Sequence, residues 1–363
     1  MKIYQKSVQG NDITTIIESL TASLTGPSAI ILMAPYTSLS EASSLLKEKY
    51  PDAQIIGTSG TTIFNGQISD KMVALTAFFD DVEVAAGIIE NVNTAPINSI
   101  YSIEKNIQSI NADKNNTICI EFTTGGEETL VTTLNSALEK KNISLVGGSV
   151  FGYPATATGE VTYNGKSYSN SCAYILIKNK TGKIKVYKEN LYEKTNHDMH
   201  YVTKSDPMSR KLIELDGQPA LKLYCDELGI PESKAMDYIL KNPLGRIVGN
   251  EVYISSFASI NNDKSINMYK ILNHNDTIFI LDLMDYKKII EHTHNQIKSD
   301  FSHISFILSV DCIYRYMLFD QESFLQNYVE SFSKVGPHMG IIGGGEQYNK
   351  QHVNQTMVCV VFE

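Results

Sequence analysis

The sequence predicts a mixed α/β (α+β) chain of two domains, with mixed, largely antiparallel sheets flanked by helices and built from repeated β-α-β-β units. Three observations predict it. An apolar run, a polar turn, a helical period and a short strand ending in glycines recur in that order three times along the chain. Many strands follow one another with no helix between them, so much of the pairing must be antiparallel. The 363 residues suffice for two domains, each with its own core, and 42% hydrophobic against 20% charged residues is ordinary globular composition.

The first unit opens with AIILMA at Ala29–Ala34, followed by a helical pattern over 38–49 and a short strand at 54–56 ending in Gly57-Thr58-Ser59-Gly60. Strands at 72–79 and 82–90 close it. In the second unit TICIEF at 117–122 leads through Thr123-Thr124-Gly125-Gly126 into a helix over 127–140. That helix starts with two acids, which suit the positive end of its dipole. A strand at 144–146 then ends in Gly147-Gly148-Ser149, and strands at 160–163, 171–177 and 183–188 follow. The third unit has ISFILSV at 304–310, a turn at Asp311-Cys312, a helix from about 314 to 332, and a short strand at 340–342 ending in Gly343-Gly344-Gly345-Glu346. The strand 356–362 closes it. Between the second and third units, 189–206 is polar and reads as a boundary. Helices at 220–228 and 231–240, strands at 245–248, 252–258, 265–268 and 277–282, and an amphipathic helix at 286–297 follow.

Charge and targeting signals narrow the function. The net charge of −9 disfavours a phosphate backbone as partner, so no nucleic acid is expected. The N-terminus is polar, without a signal-peptide core, and no apolar run reaches membrane-spanning length. A cytoplasmic location without membrane insertion is therefore expected. Cys119, Cys172, Cys225, Cys312 and Cys359 are far apart and form no CxxC pair, so buried reduced thiols are expected.

Candidate chemistry gathers in the third unit. Successive glycines at Gly344 and Gly345 either expose backbone N–H groups as an anion nest or permit a tight turn with positive φ. No GK[ST] follows them, which excludes a P-loop. Cys312, between strand and helix, is a candidate thiolate or a core residue, with Arg315 one turn on. Tyr314, Tyr316 and Tyr348 are placed to line a pocket or to pack. His292 and His294 are two apart on a helix and cannot chelate together, so no metal site is expected.

The chain resembles FIST-domain proteins. The resemblance rests on IIGTSG at 55–60, LVGGS at 145–149, IELDGQPAL at 213–221, Arg246 ahead of SINMYKILNHNDTIFIL, Cys312-Ile313-Tyr314-Arg315, Gly345-Glu346 and Asn354-Gln355-Thr356. It implies an N-terminal domain over 1–195 and a C-terminal domain over 196–363. It implies a bacterial sensory protein rather than an enzyme, binding a small, carboxylate-bearing ligand such as an amino acid. A separate signalling protein such as a histidine kinase or cyclase would receive the output. The implied ligand residues are Cys312, Tyr314, Arg315, Gly344, Gly345, Glu346 and Asn354, with Arg315 clamping a carboxylate and Glu346 opposing a cation. No cofactor is expected; a haem-binding nitric oxide sensor and a cysteine-dependent enzyme are the alternatives. Two departures stand out. Thr58 replaces the cysteine of the family's first glycine motif, and Val150, Phe151 and Gly152 follow the second motif in place of an acid.

Overall fold

The three strand–helix–strand units expected from the sequence are present, and they interlock. A computed structural model describes every residue except Asn250 and divides into two units. The first comprises Met1–Lys188, His292–His352 and Met357–Glu363, and the second Glu189–Glu291 and Val353–Thr356.

Each repeat of the first unit is built on a parallel strand pair joined through helix. The pairs are Ala29–Ala34 with Gln54–Ser59, Thr117–Thr123 with Ser144–Ser149, and Phe306–Cys312 with His338–Gly343. All six strands are nearly all buried, as central parallel strands must be. The rest of each six-stranded sheet follows one plan. Beside the parallel pair lie two antiparallel strands: Met72–Phe78 and Ile3–Gln9, Ser171–Asn179 and Val82–Glu90, or Thr356–Phe362 and Ile184–Asn190. The strands expected to belong to the first unit at 82–90 and to the second at 183–188 instead join the second and third sheets. On the other side lies a short hairpin donated by a different repeat. Thr61–Phe64 and Gln67–Ser69 leave the first repeat for the third sheet. Val161–Tyr163 and Lys166–Tyr168 leave the second repeat for the first sheet. Glu346–Tyr348 and Gln351–Val353 leave the third repeat for the second sheet. The exchange closes a ring of three sheets.

A local signal sets each exchange. The hairpins turn at Asn65-Gly66, Asn164-Gly165 and Asn349-Lys350, and the three asparagines have φ of 46°, 47° and 49°. Positive φ at that position gives the turn the twist that paired strands require. Each Asn then grips the strand it joins. The amides of His338, Ile55 and Leu145 donate to the side-chain oxygens of Asn65, Asn164 and Asn349 at 2.8, 2.9 and 3.3 Å. The asparagine amides donate back to the same three residues. These clamps make Ile55, Leu145 and His338 equivalent. Counting along each strand, Gly57, Gly147 and Gly340 are then equivalent. A Cβ at any of them would run into a side chain behind it, namely Thr162, Glu121 or Ser309.

The long C-terminal helix expected over 314–332 is two helices, Ile313–Gln321 and Leu325–Ser333. Ser323 adopts φ 52°, Phe324 N–H donates to the Phe319 carbonyl at 2.7 Å, and the two rings meet edge-on at 5.4 Å. This is a left-handed helix stop with its apolar contact, supplied by serine where glycine is usual. No turn intervenes at Asp311-Cys312; both residues lie in the strand.

The second unit carries an eight-stranded sheet. Its order is Glu251–Ser255, Leu244–Val248, Thr277–Ile280, Met199–Asp206, Lys211–Leu215, Ile266–Met268 and Phe257–Ile260, with Gln218–Pro219 beside Lys211–Leu215. The polar stretch expected as a boundary thus contains a strand from Met199 onward. Helix Ala220–Leu228 starts behind Pro219 and ends at Gly229 with φ 64°. Among the described residues no helix is long and apolar enough to cross a membrane.

Candidate functional site

Arg315 faces inward. Its Nε lies 3.2 Å from Asp311 Oδ1, and its guanidinium sits 4.9 Å from the Phe319 ring and 5.1 Å from Tyr328. Tyr328 donates its hydroxyl proton to Asp311 Oδ1 at 2.6 Å, and Ser309 Oγ donates to Asp311 Oδ2 at 3.2 Å. Ser309 also meets His338 Nε2 at 2.9 Å, and burial holds that imidazole down at about 3. Arg315 is 1% exposed, so it ties the third repeat's helices to its sheet. Cys312 caps the first of those helices, opposite Gly343, and Tyr314 is largely buried.

None of Gly343, Gly344 and Gly345 has positive φ, so neither a nest nor the expected positive-φ turn forms, although the chain bends at Gly344 and Gly345. These residues permit close passage between sheets. A Cβ on Gly343 would lie 3.1 Å from both the Ser149 carbonyl and Val310. Gly344 N–H donates to the Ser149 carbonyl at 3.0 Å, and Ser149 N–H donates to the Gly345 carbonyl at 2.9 Å. Glu346 lies opposite Gly148 and is buried. Asn354 is buried in the second unit.

The predicted glycines thus lead to Ser149 of the second repeat, where a line of polar side chains runs inward. Ser149 Oγ donates to Glu127 Oε1 at 3.1 Å and accepts from Gln347 Nε2 at 3.4 Å. The same Gln347 amide reaches His352 Nδ1 at 3.2 Å. Gln347 comes from the donated hairpin and stands opposite Gly147; Glu121 stands opposite the same glycine on its other side. Glu121 is fully buried. Cys172 Sγ donates to its Oε2 at 3.3 Å, while its Oε1 has no hydrogen-bond partner. Burial, with the Glu127 charge adding to it, pushes this carboxyl up to about 8, so it is protonated at neutral pH. Burial likewise raises the Cys119 and Cys172 thiols well above their ordinary range.

Local sequence places each member. Gly126, at φ 64°, ends the loop and starts helix Glu127–Leu138, because a Cβ there would meet the Val92 carbonyl. Glu127 is thereby fixed in the first turn, where the helix dipole favours its charge. The outer end of the line reaches the surface: Glu127 and Gly344 are partly exposed and Phe151 is exposed.

The equivalent positions differ in polarity: Ser309, opposite Gly340, is the buried counterpart in the third repeat, but the first repeat does without a polar group there. Leu32, opposite Gly57 in the first repeat, is the counterpart of Glu121 and belongs to the apolar core under its helix. A buried acid where the fold accepts leucine is a candidate for function. A carboxylate, a hydroxyl and an amide in one line, with the Glu121 carboxyl opposite Gly147, can hold a group that donates several hydrogen bonds and carries positive charge. Sequence reading missed Glu121, Gln347 and His352. The signal that finds them is the repeated Phe-Asn-Gly, Tyr-Asn-Gly and Tyr-Asn-Lys turn at 64–66, 163–165 and 348–350, which fixes register between repeats.

No curated protein matches the chain. The model of the FIST N domain matches residues 28–218, and that of the FIST C domain matches 220–349. Together they span most of the sequence, and the chain belongs to the FIST family.

Proposed function

We propose that this protein is a sensor that binds a small amine-bearing ligand at the Glu127–Ser149 opening and signals to a separate partner. FIST domains are sensory domains of signal transduction, and their membership suggests small-ligand binding. The observation that carries the finer reading is the line Glu127–Ser149–Gln347 with Glu121 behind it. A ligand ammonium beside Glu127 gains a charge-assisted hydrogen bond, typically about 1.5–3 kcal/mol. An amino acid is the simplest ligand that also brings the carboxylate expected from the sequence. The burial of Arg315 and its ion pair with Asp311 favour Glu127 over Arg315 as the charged group that meets the ligand in this reading. The reading is non-enzymatic: Cys172, the thiol beside the acid, is fully buried with its pKa raised, the opposite of an activated nucleophile.

The test is a thermal-shift screen of amines, amino acids and their des-amino analogues. Amine-bearing compounds should raise the melting temperature, and Glu127→Gln or Ser149→Ala should abolish the shift. Full shifts in both variants, or shifts by des-amino analogues alone, would remove the assignment.

A further inference from the structure

The second unit holds a chain of acids and imidazoles that the ligand site does not use. His200, on strand Met199–Asp206, is largely buried. Its Nδ1 lies 2.7 Å from Asp216 Oδ2, and its Nε2 contacts Glu227 Oε2. Glu227 Oε1 lies 3.0 Å from His197 Nδ1 and accepts from the Asp198 amide at 3.1 Å. His197 Nε2 faces Asp282 at 3.3 Å, and Asn242 and Thr195 donate to the same carboxylate.

Backbone geometry fixes the acids. Asp216 takes φ 50° and Gly217 φ 75° in the two-residue turn joining Lys211–Leu215 to Gln218–Pro219, and the Tyr201 amide holds its other oxygen at 2.8 Å. Glu227 stands in the last turn of Ala220–Leu228, which has no basic residue. A carboxylate there opposes the helix dipole and needs a cation.

A neutral imidazole has one N–H donor, yet both nitrogens of His200 face carboxylates. Only the imidazolium satisfies both. With a carboxylate at each ring nitrogen, the group this cluster accommodates is a proton.

We propose that the second unit is a proton sensor, with His200 as the receiving group and Asp216, Glu227, His197 and Asp282 as the clasp that its proton holds closed. When the proton leaves to solvent, one His200 nitrogen turns a lone pair toward a carboxylate, and Asp216 and Glu227 lose their common counter-charge. The strand end, the turn and the helix end then separate. Burial works against the charged ring, but hydrogen bonds and charges from Asp216 and Glu227 outweigh it, so the His200 pKa is raised and that of Asp216 lowered. A raised pKa means that the clasp is fully formed below about 6.5 and opens as pH rises through the folded-state value.

The experiment uses the whole chain. The His200 ring is titrated by NMR, and amide exchange, corrected for its intrinsic pH dependence, is compared at pH 6 and pH 9 over 199–206 and 211–228. The ring should titrate above its ordinary value of about 6.5, and protection in both segments should fall at the higher pH. His200→Gln should remove that pH dependence. Asp216→Asn, which keeps the ring, should lower its midpoint if His200→Gln does not fold. Titration at or below 6.5, equal protection at both pH values, or a midpoint unmoved by Asp216→Asn overturns the proposal.

Discussion

Replacing Glu121 by glutamine tests the buried acid directly. Gln keeps the shape, and its oxygen still accepts from Cys172 Sγ. The folded-state pKa of Glu121 lies at about 8 against 4.5 in the open chain. The folded protein therefore retains a proton that the unfolded chain releases above 4.5. The contribution of this group to stability is flat below 4.5 and falls as pH rises from 4.5 toward 8. One pKa unit is worth about 1.4 kcal/mol, so the wild type has lost about 3 kcal/mol by pH 7 and on the order of 5 kcal/mol by pH 8. Glu121→Gln cannot ionise and loses none of this. For a unit of this size about 2–4 °C accompanies each kcal/mol, so its melting temperature at pH 7 should exceed the wild type's by roughly 6–12 °C. At pH 4 the two should nearly coincide. Melting curves from pH 4 to 8.5 check this. A constant difference across that range, or a variant less stable at pH 7 to 8, would show that Glu121 is not a buried neutral acid.

Three further outcomes follow from the packing. Arg315→Met leaves Asp311 charged in the core and should cost about 3–5 kcal/mol, whereas Arg315→Met with Asp311→Leu should recover most of it in denaturant titrations. Gly60→Ala places a Cβ 2.7 Å from the Ile342 carbonyl, where a strand passes between sheets, and should cost about 1–3 kcal/mol by the same assay. All five cysteines are free and buried, so a thiol reagent at pH 7.5 should label none rapidly until denaturant is added. Fast labelling of Cys312 in the folded protein would reopen the case for a reactive thiol.

Much of this architecture was legible in the chain. Apolar runs at 29–34, 117–122 and 304–310 followed by glycine-capped strands are local signals, and each produced its parallel pair. What stayed hidden was exchange between repeats. Thr61–Phe64 pairs with Met339–Ile342, more than 260 residues away in sequence, and no local period encodes such a partner. Ile3–Gln9 went unread because its polar residues mask an edge strand, and Ile100–Ser109 because Asn, Gln and Ser dilute its helical stripe.

The site was half legible for the same reason. Glycines at 147–148 and 343–345 marked where chains pass closely, and they do meet, at Ser149. Arg315 and Cys312 stood out by residue type, but their role depends on the face of the helix. Asp311 sits four residues before Arg315 and claims it. Glu121 lay inside TICIEF and read as one polar residue in an apolar strand. Only its register against Gly147 and Gln347 gives it meaning.

The most direct measurement is calorimetric titration of the whole chain with an amine-bearing hit, in two buffers of different ionisation heat at pH 7. A cation seated beside Glu127 lowers the cost of charging Glu121 behind it, so binding should release a proton. The release should vanish in Glu121→Gln, and affinity should collapse in Glu127→Gln. Binding with no proton exchange and unchanged affinity in Glu127→Gln would contradict the account.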